Sequence, residues 1–435
     1  MLTQAELIEW YQRNRQRTRA LFDMLTPQAY CRQPIALRNP LVFYEGHLPA
    51  FSANTLLKKG LGRAPIDSWL DVLFARGIDP VDEASARPRV KGTWPERDEV
   101  LAYGEKVDAA VVEVLHGSEL FAGSGRLAGL AYTILEHEAM HQETLRYLWH
   151  ELAHEEKIPG ADVRPVPAPR CPARAAGRVV IPAGVATLGA QPGAIDFGWD
   201  NEFPSRQVDV EAFEIDLHNV TNRDFMAFVE AGGYREQRWW SAEAWAWLQE
   251  KAIEHPHFWQ RQGDTWAWRG MFALSDLPND WPVYVSHAEA TAYAAWQGAR
   301  LPSEAEYQRA AYATPNGDER PYPWGDDPPT AIHGNFDFAR WDPVPVGSFP
   351  AGVSAWGVHD LVGNGWEWTS SLFASHPGFA PMAAYPEYSA DFFDERHYVL
   401  KGASPATARE LIRPSFRNWF RAAYPYLYAT FRTAR

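Results

Sequence analysis

The apolar period of this chain changes once, at "KIPGADVRPVPAPRCPARAAG" (157–177), and no other feature limits the fold as much. Before that run, apolar residues recur at helical spacing. Leu7, Trp10, Tyr11, Leu21 and Leu25 share one face of the first segment. Further helical stretches run from about Leu41 to Lys59, from about Arg97 to Leu115 and from about Gly125 to Glu155. Four helices joined by Pro- and Gly-bearing loops predict a four-helix bundle over residues 1–156. The run itself, rich in proline and small residues, reads as a linker. Residues 178–435 follow another rule: short strands ("GRVVIPAGVATLGA", "RQVDVEAFEIDLHNV"), then long aromatic loops rich in Gly and Pro. Two helices, "TNRDFMAFVEAGG" and "SHAEATAYAAWQGA", are capped by Thr221 and Ser286. The expectation is an α+β multidomain chain, since 435 residues exceed one ordinary core. There is no internal repeat.

Charge and cysteine count narrow the function classes. A net charge of -14 speaks against nucleic acid or an anionic membrane as partner. No apolar stretch reaches membrane-spanning length. The amino terminus, "MLTQAELIEWYQRNRQRTRALFDML", reads as an amphipathic helix and not as a signal peptide. Cys31 and Cys171 are the only cysteines, so no disulfide framework is expected and a reducing cytoplasm is the expected location. Nothing points to an obligate protein partner. Twenty tryptophans, each with an N–H to satisfy when buried, suggest a loop-heavy fold or aromatic-lined pockets.

"LEHEAMHQETLRYLWHEL" (135–152) places His137 and His141 four residues apart, on one face of a helix. Both imidazoles could reach one cation, and His47 in "NPLVFYEGHLPAF" is the candidate third ligand, from a facing helix. The spacing alone leaves open a surface pair or a satisfied core pair. Three histidines also suit zinc as well as iron. Glu143 lies about 200° round the helix from His141 at ~100° per residue, which makes it a structural group and not a ligand.

"PLVFYEGHLP", followed some ninety residues later by "HEAMHQET", resembles the DinB-like bundle of the ergothioneine-type sulfoxide synthases. "RLPSEAEYQRAA", "YPWGD", "LVGNGWEWTSS", "VLKGAS" and "FRTAR" resemble phrases of the formylglycine-generating-enzyme (C-type-lectin-like) fold. The resemblance covers almost the whole chain. It implies iron(II) held by His47, His137 and His141, and oxidative joining of a chalcogen to C2 of the imidazole of hercynine (Nα-trimethylhistidine). Formylglycine-generating chemistry itself is excluded, because its paired cysteines are missing: none follows Cys171. "AAYPEYSADFF" resembles the family's tyrosine-bearing stretch, which implies that Tyr385 supplies a proton or hydrogen atom and Tyr388 helps place the imidazole. "RNWF" resembles the segment around hercynine's ammonium and carboxylate. That implies a polar contact from Asn418 and an aromatic face from Trp419.

The chain departs from that family at the donor. Relatives using γ-glutamylcysteine carry two arginines before an "EVxAY"-like phrase, where this chain has Lys91 and Trp94 in "KGTWPERDEVLAY". They have an acid where Phe420 stands, and a glutamine where Met140 stands. Arginine grips carboxylates bidentately, which lysine cannot do, while tryptophan suits a sugar ring. These departures resemble the selenoneine synthase branch, which implies a selenosugar donor. Two alternatives stand beside it. One is a sulfoxide synthase using cysteine or γ-glutamylcysteine, its carboxylates held by Arg87, Arg89 or Arg97. The other is a non-catalytic small-molecule binding module.

Overall fold

The structure is a computed structural model that describes residues 2–75, 94–118, 120–121, 125–160 and 177–435. It divides into two compact units, Met1–Arg164 with Met382–Glu387, and Pro165–Pro381 with Tyr388–Arg435. The hexapeptide 382–387 therefore belongs spatially to the helical half, far from its place in the chain.

The first unit is helical: α1 (Gln4–Phe22), α2 (Leu41–Ser52), a short α3 (Leu70–Leu73), α4 (Arg97–His116) and α5 (Arg126–Glu151). A capping box starts α1: the Thr3 hydroxyl accepts from the Glu6 N–H, and the Glu6 carboxylate accepts from the Thr3 N–H. Leu7, Trp10, Tyr11, Asn14, Thr18 and Leu21 then bury one stripe. Polar links cross the core. Asn14 Nδ2 donates to the Leu135 carbonyl (2.9 Å), and Arg15 bridges Asp108 of α4 and Glu138 of α5, 2.9 Å from each. The expected helix from Leu41 to Lys59 is one continuous rod, but its form changes. The α-helix ends at Ser52 and Ala53–Gly60 is π-helical. Pro49 has no N–H to give, so the ladder lacks its bond to the Glu45 carbonyl, and it is restored by Ala53, whose N–H donates to the Pro49 carbonyl before the π-helical turns begin. After α5 the chain returns to α1, where Ile158 N–H donates to the Met24 carbonyl (2.7 Å). The remainder of the expected linker, from residue 161 to 176, lies outside the described residues, as does Cys171.

The second unit begins with β1 (Arg178–Ile181), β2 (Gly184–Leu188), β3 (Arg206–Val210) and β4 (Phe213–Asp216), paired antiparallel as β1 with β4 and β2 with β3. Next come α6 (Asn222–Glu230) and α7 (Ala242–Glu250), then an antiparallel sheet of β5 (Trp259–Gln262), β6 (Thr265–Arg269) and β7 (Leu274–Asp276). Thr221 caps α6, and Ser286 caps α8 (His287–Trp296). α9 (Glu304–Tyr312) lays Tyr307, Ala310 and Ala311 against Ile181, Phe213 and Ile215. The last sheet has the order β10–β9–β8–β11, from β8 (Gly365–Leu372), β9 (His397–Ala403), β10 (Asn418–Arg421) and β11 (Ala429–Thr430). Three buried tryptophans of this unit find N–H partners: Trp259 the Asn222 side chain, Trp268 the Asp342 carboxylate and Trp368 the Val285 carbonyl. In the closing "FRTAR" phrase, Arg432 is wholly buried against Glu367 (2.6 Å), so that phrase serves the core. Among the described residues no helix is long and apolar enough to cross a membrane.

Candidate metal centre

α2 and α5 face each other across the helical unit and bring three imidazoles together. His137 and His141 are one helical turn apart on α5, with ring centroids 4.4 Å apart. His47 of α2 lies 5.1 Å from each. One ligand atom from each of the three lies within 4.8 Å of the others, and no other such group of His, Cys, Asp or Glu occurs among the described residues. His47 and His137 are buried and His141 is half-buried. Burial, reinforced by the other ring or rings of the group, pushes His137 and His141 well below the usual imidazole range. The rings are thus neutral at pH 7, the form that ligates a metal.

Hydrogen bonding tests whether the site fits an ion. His47 Nδ1 lies 2.8 Å from the Phe74 carbonyl, which can only accept, so the proton sits on Nδ1 and Nε2 keeps its lone pair. His137 Nε2 and His141 Nδ1 are enclosed and have no hydrogen-bond partner. An orphaned buried nitrogen costs about 1–3 kcal/mol, a cost that a metal ion bound to the lone pair removes. The donor set fits a divalent transition metal.

Aromatic rings fix the ligands. Phe43 stacks on His47 (4.9 Å, 16°) and Phe51 lies flat on His137 (3.5 Å, 7°). Both stand four residues from His47, so the helical spacing of "FYEGHLPAF" already exposes them. Nothing in the sequence marks Phe74, whose carbonyl orients His47. Its fully buried ring occupies the space a side chain at position 46 would need: a Cβ on Gly46 would sit 2.3 Å from that ring. Gly46→Ala is therefore expected to displace Phe74, cost about 1–3 kcal/mol of stability and weaken metal affinity about 10–100-fold. Thermal melting and metal titration check this.

The other site residues divide between the units. Tyr385, in the hexapeptide that joins the helical unit, presents its ring edge-on to Phe51 (5.5 Å, 62°) and His137 (6.4 Å, 68°). Lys59 of the π-helical turn holds the neighbouring Ala384 carbonyl (3.1 Å). Met140 is half-buried beside His141, Glu143 is buried, and Trp94 stacks on Phe74 (6.2 Å, 13°). Lys91, Arg87 and Arg89 lie outside the described residues. Arg97 is already engaged, with Nε and Nη2 on the Glu45 carboxylate (3.0–3.2 Å) and Nη2 on Asp23 (2.7 Å).

In the second unit, Tyr388 stacks on Trp199 (3.9 Å, 23°) and meets Trp419 edge-on (5.3 Å, 83°), while Trp419 lies flat on Phe373 (4.2 Å, 6°). Phe420 stacks instead on Tyr424 (5.1 Å). Successive side chains of a strand point to opposite faces, so on β10 Asn418 and Phe420 share one face and Trp419 takes the other.

Comparison with known proteins agrees with both halves. Residues 163–435 match the model of the sulfatase-modifying factor enzyme 1-like domain, and residues 11–145 match that of the DinB superfamily. Hercynine oxygenase of Mycolicibacterium thermoresistibile is 34% identical over 416 residues, covering 93% of this chain and 89% of its own length. Hercynine oxygenase of Mycolicibacterium smegmatis is 40% identical over 294 residues, 66% of this chain and 67% of its own. Ergothioneine biosynthesis protein 1 of Neurospora crassa is 30% identical over 502 residues. That alignment takes in 95% of this chain but 55% of the fungal protein, so the chain spans about half of that relative. With a bundle and a loop-rich α+β unit that match the two domain models in order, the chain belongs to the hercynine oxygenase family of oxidoreductases.

Proposed function

We propose that this chain catalyses the iron(II)- and dioxygen-dependent joining of a chalcogen to C2 of the hercynine imidazole, and that its donor is a selenosugar. One observation carries the reaction: the His47, His137 and His141 group with Tyr385 edge-on beside it, in a chain aligned over 93% of its length with a hercynine oxygenase. Bound there, iron(II) supplies the redox chemistry with dioxygen that a new carbon–selenium or carbon–sulfur bond requires. The chain's residues do the rest. The Phe74 carbonyl keeps the His47 proton on Nδ1, and the stacked Phe43 and Phe51 exclude water from the ligand rings. Tyr385 Oη carries the transferable proton or hydrogen atom. A trimethylammonium group has no N–H to donate and is held by an aromatic face, the role of Trp419, while Tyr388 helps place the imidazole. Asn418 supplies a polar contact to the substrate, and Met140 an apolar wall for its imidazole.

The donor assignment rests on the departures. Trp94 presents an indole where an amino-acid donor needs a guanidinium, and Phe420 offers an ammonium group no countercharge. Arg97, one of the arginines that could replace the missing clamp, is spent on Glu45 and Asp23. The names of the curated relatives favour a second reading, an ergothioneine-type sulfoxide synthase using cysteine or γ-glutamylcysteine.

Anaerobic reconstitution with iron(II), then addition of oxygen, hercynine and each donor, separates the two by mass spectrometry of the products. Coupling with the selenosugar is expected, with weak or no coupling to the amino-acid thiols at equal concentration. Trp94→Ala is expected to reduce use of the sugar donor about tenfold, roughly the 1.4 kcal/mol of one good aromatic contact, and to spare hercynine binding. Efficient turnover of γ-glutamylcysteine with the selenosugar ignored would establish the second reading. No metal-dependent turnover of any donor would leave a non-catalytic binding module.

A further inference from the structure

We propose that Asp200 and Ser389 form a latch that sets the pose of Tyr388 against Trp199 and Trp419, and through it the affinity for hercynine. The inference rests on the substrate reading above. Its centre is the tetrapeptide Trp199–Glu202, which binds two separate stretches of the second unit. On one side Glu202, wholly buried, accepts from Arg413 Nη2 (2.6 Å), Arg413 Nε (2.8 Å) and Ser415 Oγ (2.6 Å). The Asn201 carbonyl accepts from Arg417 Nη1 (3.2 Å). These bonds fix the run 413–417, which leads directly into Asn418 and Trp419.

On the other side, the Asp200 carboxylate accepts from Ser389 Oγ at 2.5 Å, and the adjacent Trp199 ring lies on Tyr388. Asp200 and Ser389 are 5% and 0% exposed, so water does not compete for the bond. A charge-assisted hydrogen bond in so dry a place is among the strongest a hydroxyl makes. Ser389 follows Tyr388 immediately in the chain, so holding its hydroxyl fixes the backbone from which the tyrosine ring projects. One short segment thus sets both members of the Tyr388–Trp419 pair, Glu202 on the tryptophan side and Asp200 on the tyrosine side. A ring that places the imidazole and a ring face that attracts the ammonium of the same ligand lose affinity together when their spacing drifts. Asp200 is a positioning residue, acting through Tyr388.

The test is a double-mutant cycle on the full iron(II)-loaded chain without oxygen, reading hercynine binding by calorimetry in the unmodified protein, Asp200→Asn, Ser389→Ala and the double variant. Each single change is expected to weaken hercynine binding about 5–30-fold with iron content unchanged, and to lower the melting temperature by a few degrees while the protein stays folded at the titration temperature. The double variant is expected to bind no worse than the weaker single. Ser389→Thr, which keeps the hydroxyl, is expected to restore affinity. Single effects that multiply in the double variant, unchanged affinity in both singles, or failure of the threonine to rescue would overturn the latch. An unmodified protein that does not bind hercynine would overturn the substrate reading, and the latch with it, and the first titration alone reveals that case.

Discussion

His137→Ala is expected to empty the metal centre while leaving the helical unit folded. A metal held by four protein ligands gains about 10–16 kcal/mol, roughly 2.5–4 kcal/mol per ligand, so losing one imidazole weakens binding by about two to three orders of magnitude. Phe51 also loses the ring on which it lies flat, which adds disorder to the ligands that remain. The bundle should tolerate the change, because the links from Asn14 to the Leu135 carbonyl and from Arg15 to Glu138 do not involve the imidazole. Iron content after anaerobic loading, together with helical circular dichroism, measures both halves of the claim. His47→Ala and His141→Ala should behave alike. Full iron stoichiometry in any of the three variants would remove that residue from the site.

Tyr385→Phe carries the second large effect. The substitution removes one oxygen and keeps the ring, so the edge-on packing against Phe51 and His137 survives. Iron and hercynine binding should persist. Formation of the carbon–chalcogen bond should fall about 10²–10⁴-fold, the range for loss of a positioned proton donor. Oxygen consumption should continue, diverted into oxidation of the donor, so the ratio of coupled to uncoupled product is the decisive measurement. A coupling yield equal to that of the unmodified protein would move the role to another residue, with Tyr388 next to test.

How far each feature could be read in advance follows from the distance over which its cause acts. Helical spacing in residues 1–155, the caps at Thr221 and Ser286, and the shared face of His137 and His141 are all set within a few residues, and local rules recover them. Spacing alone could not bring in His47, ninety residues away; the bundle reading made it the candidate, the resemblance implied its role, and α2 facing α5 is what places it beside the pair. The π-helical turn after Pro49 defeats pattern reading, because apolar periodicity barely distinguishes a widened helix from a regular one. The proton on His47 Nδ1 depends on one backbone carbonyl twenty-seven residues further on, and backbone groups leave no trace in side-chain patterns. The short stretch "AAYPEYS" shows the limit most plainly. Its two tyrosines are three residues apart in the chain, yet packing assigns Tyr385 to the helical unit and Tyr388 to the other. A loop with no apolar period of its own goes wherever burial of its rings is most favourable, and that is a property of the assembled surfaces it meets.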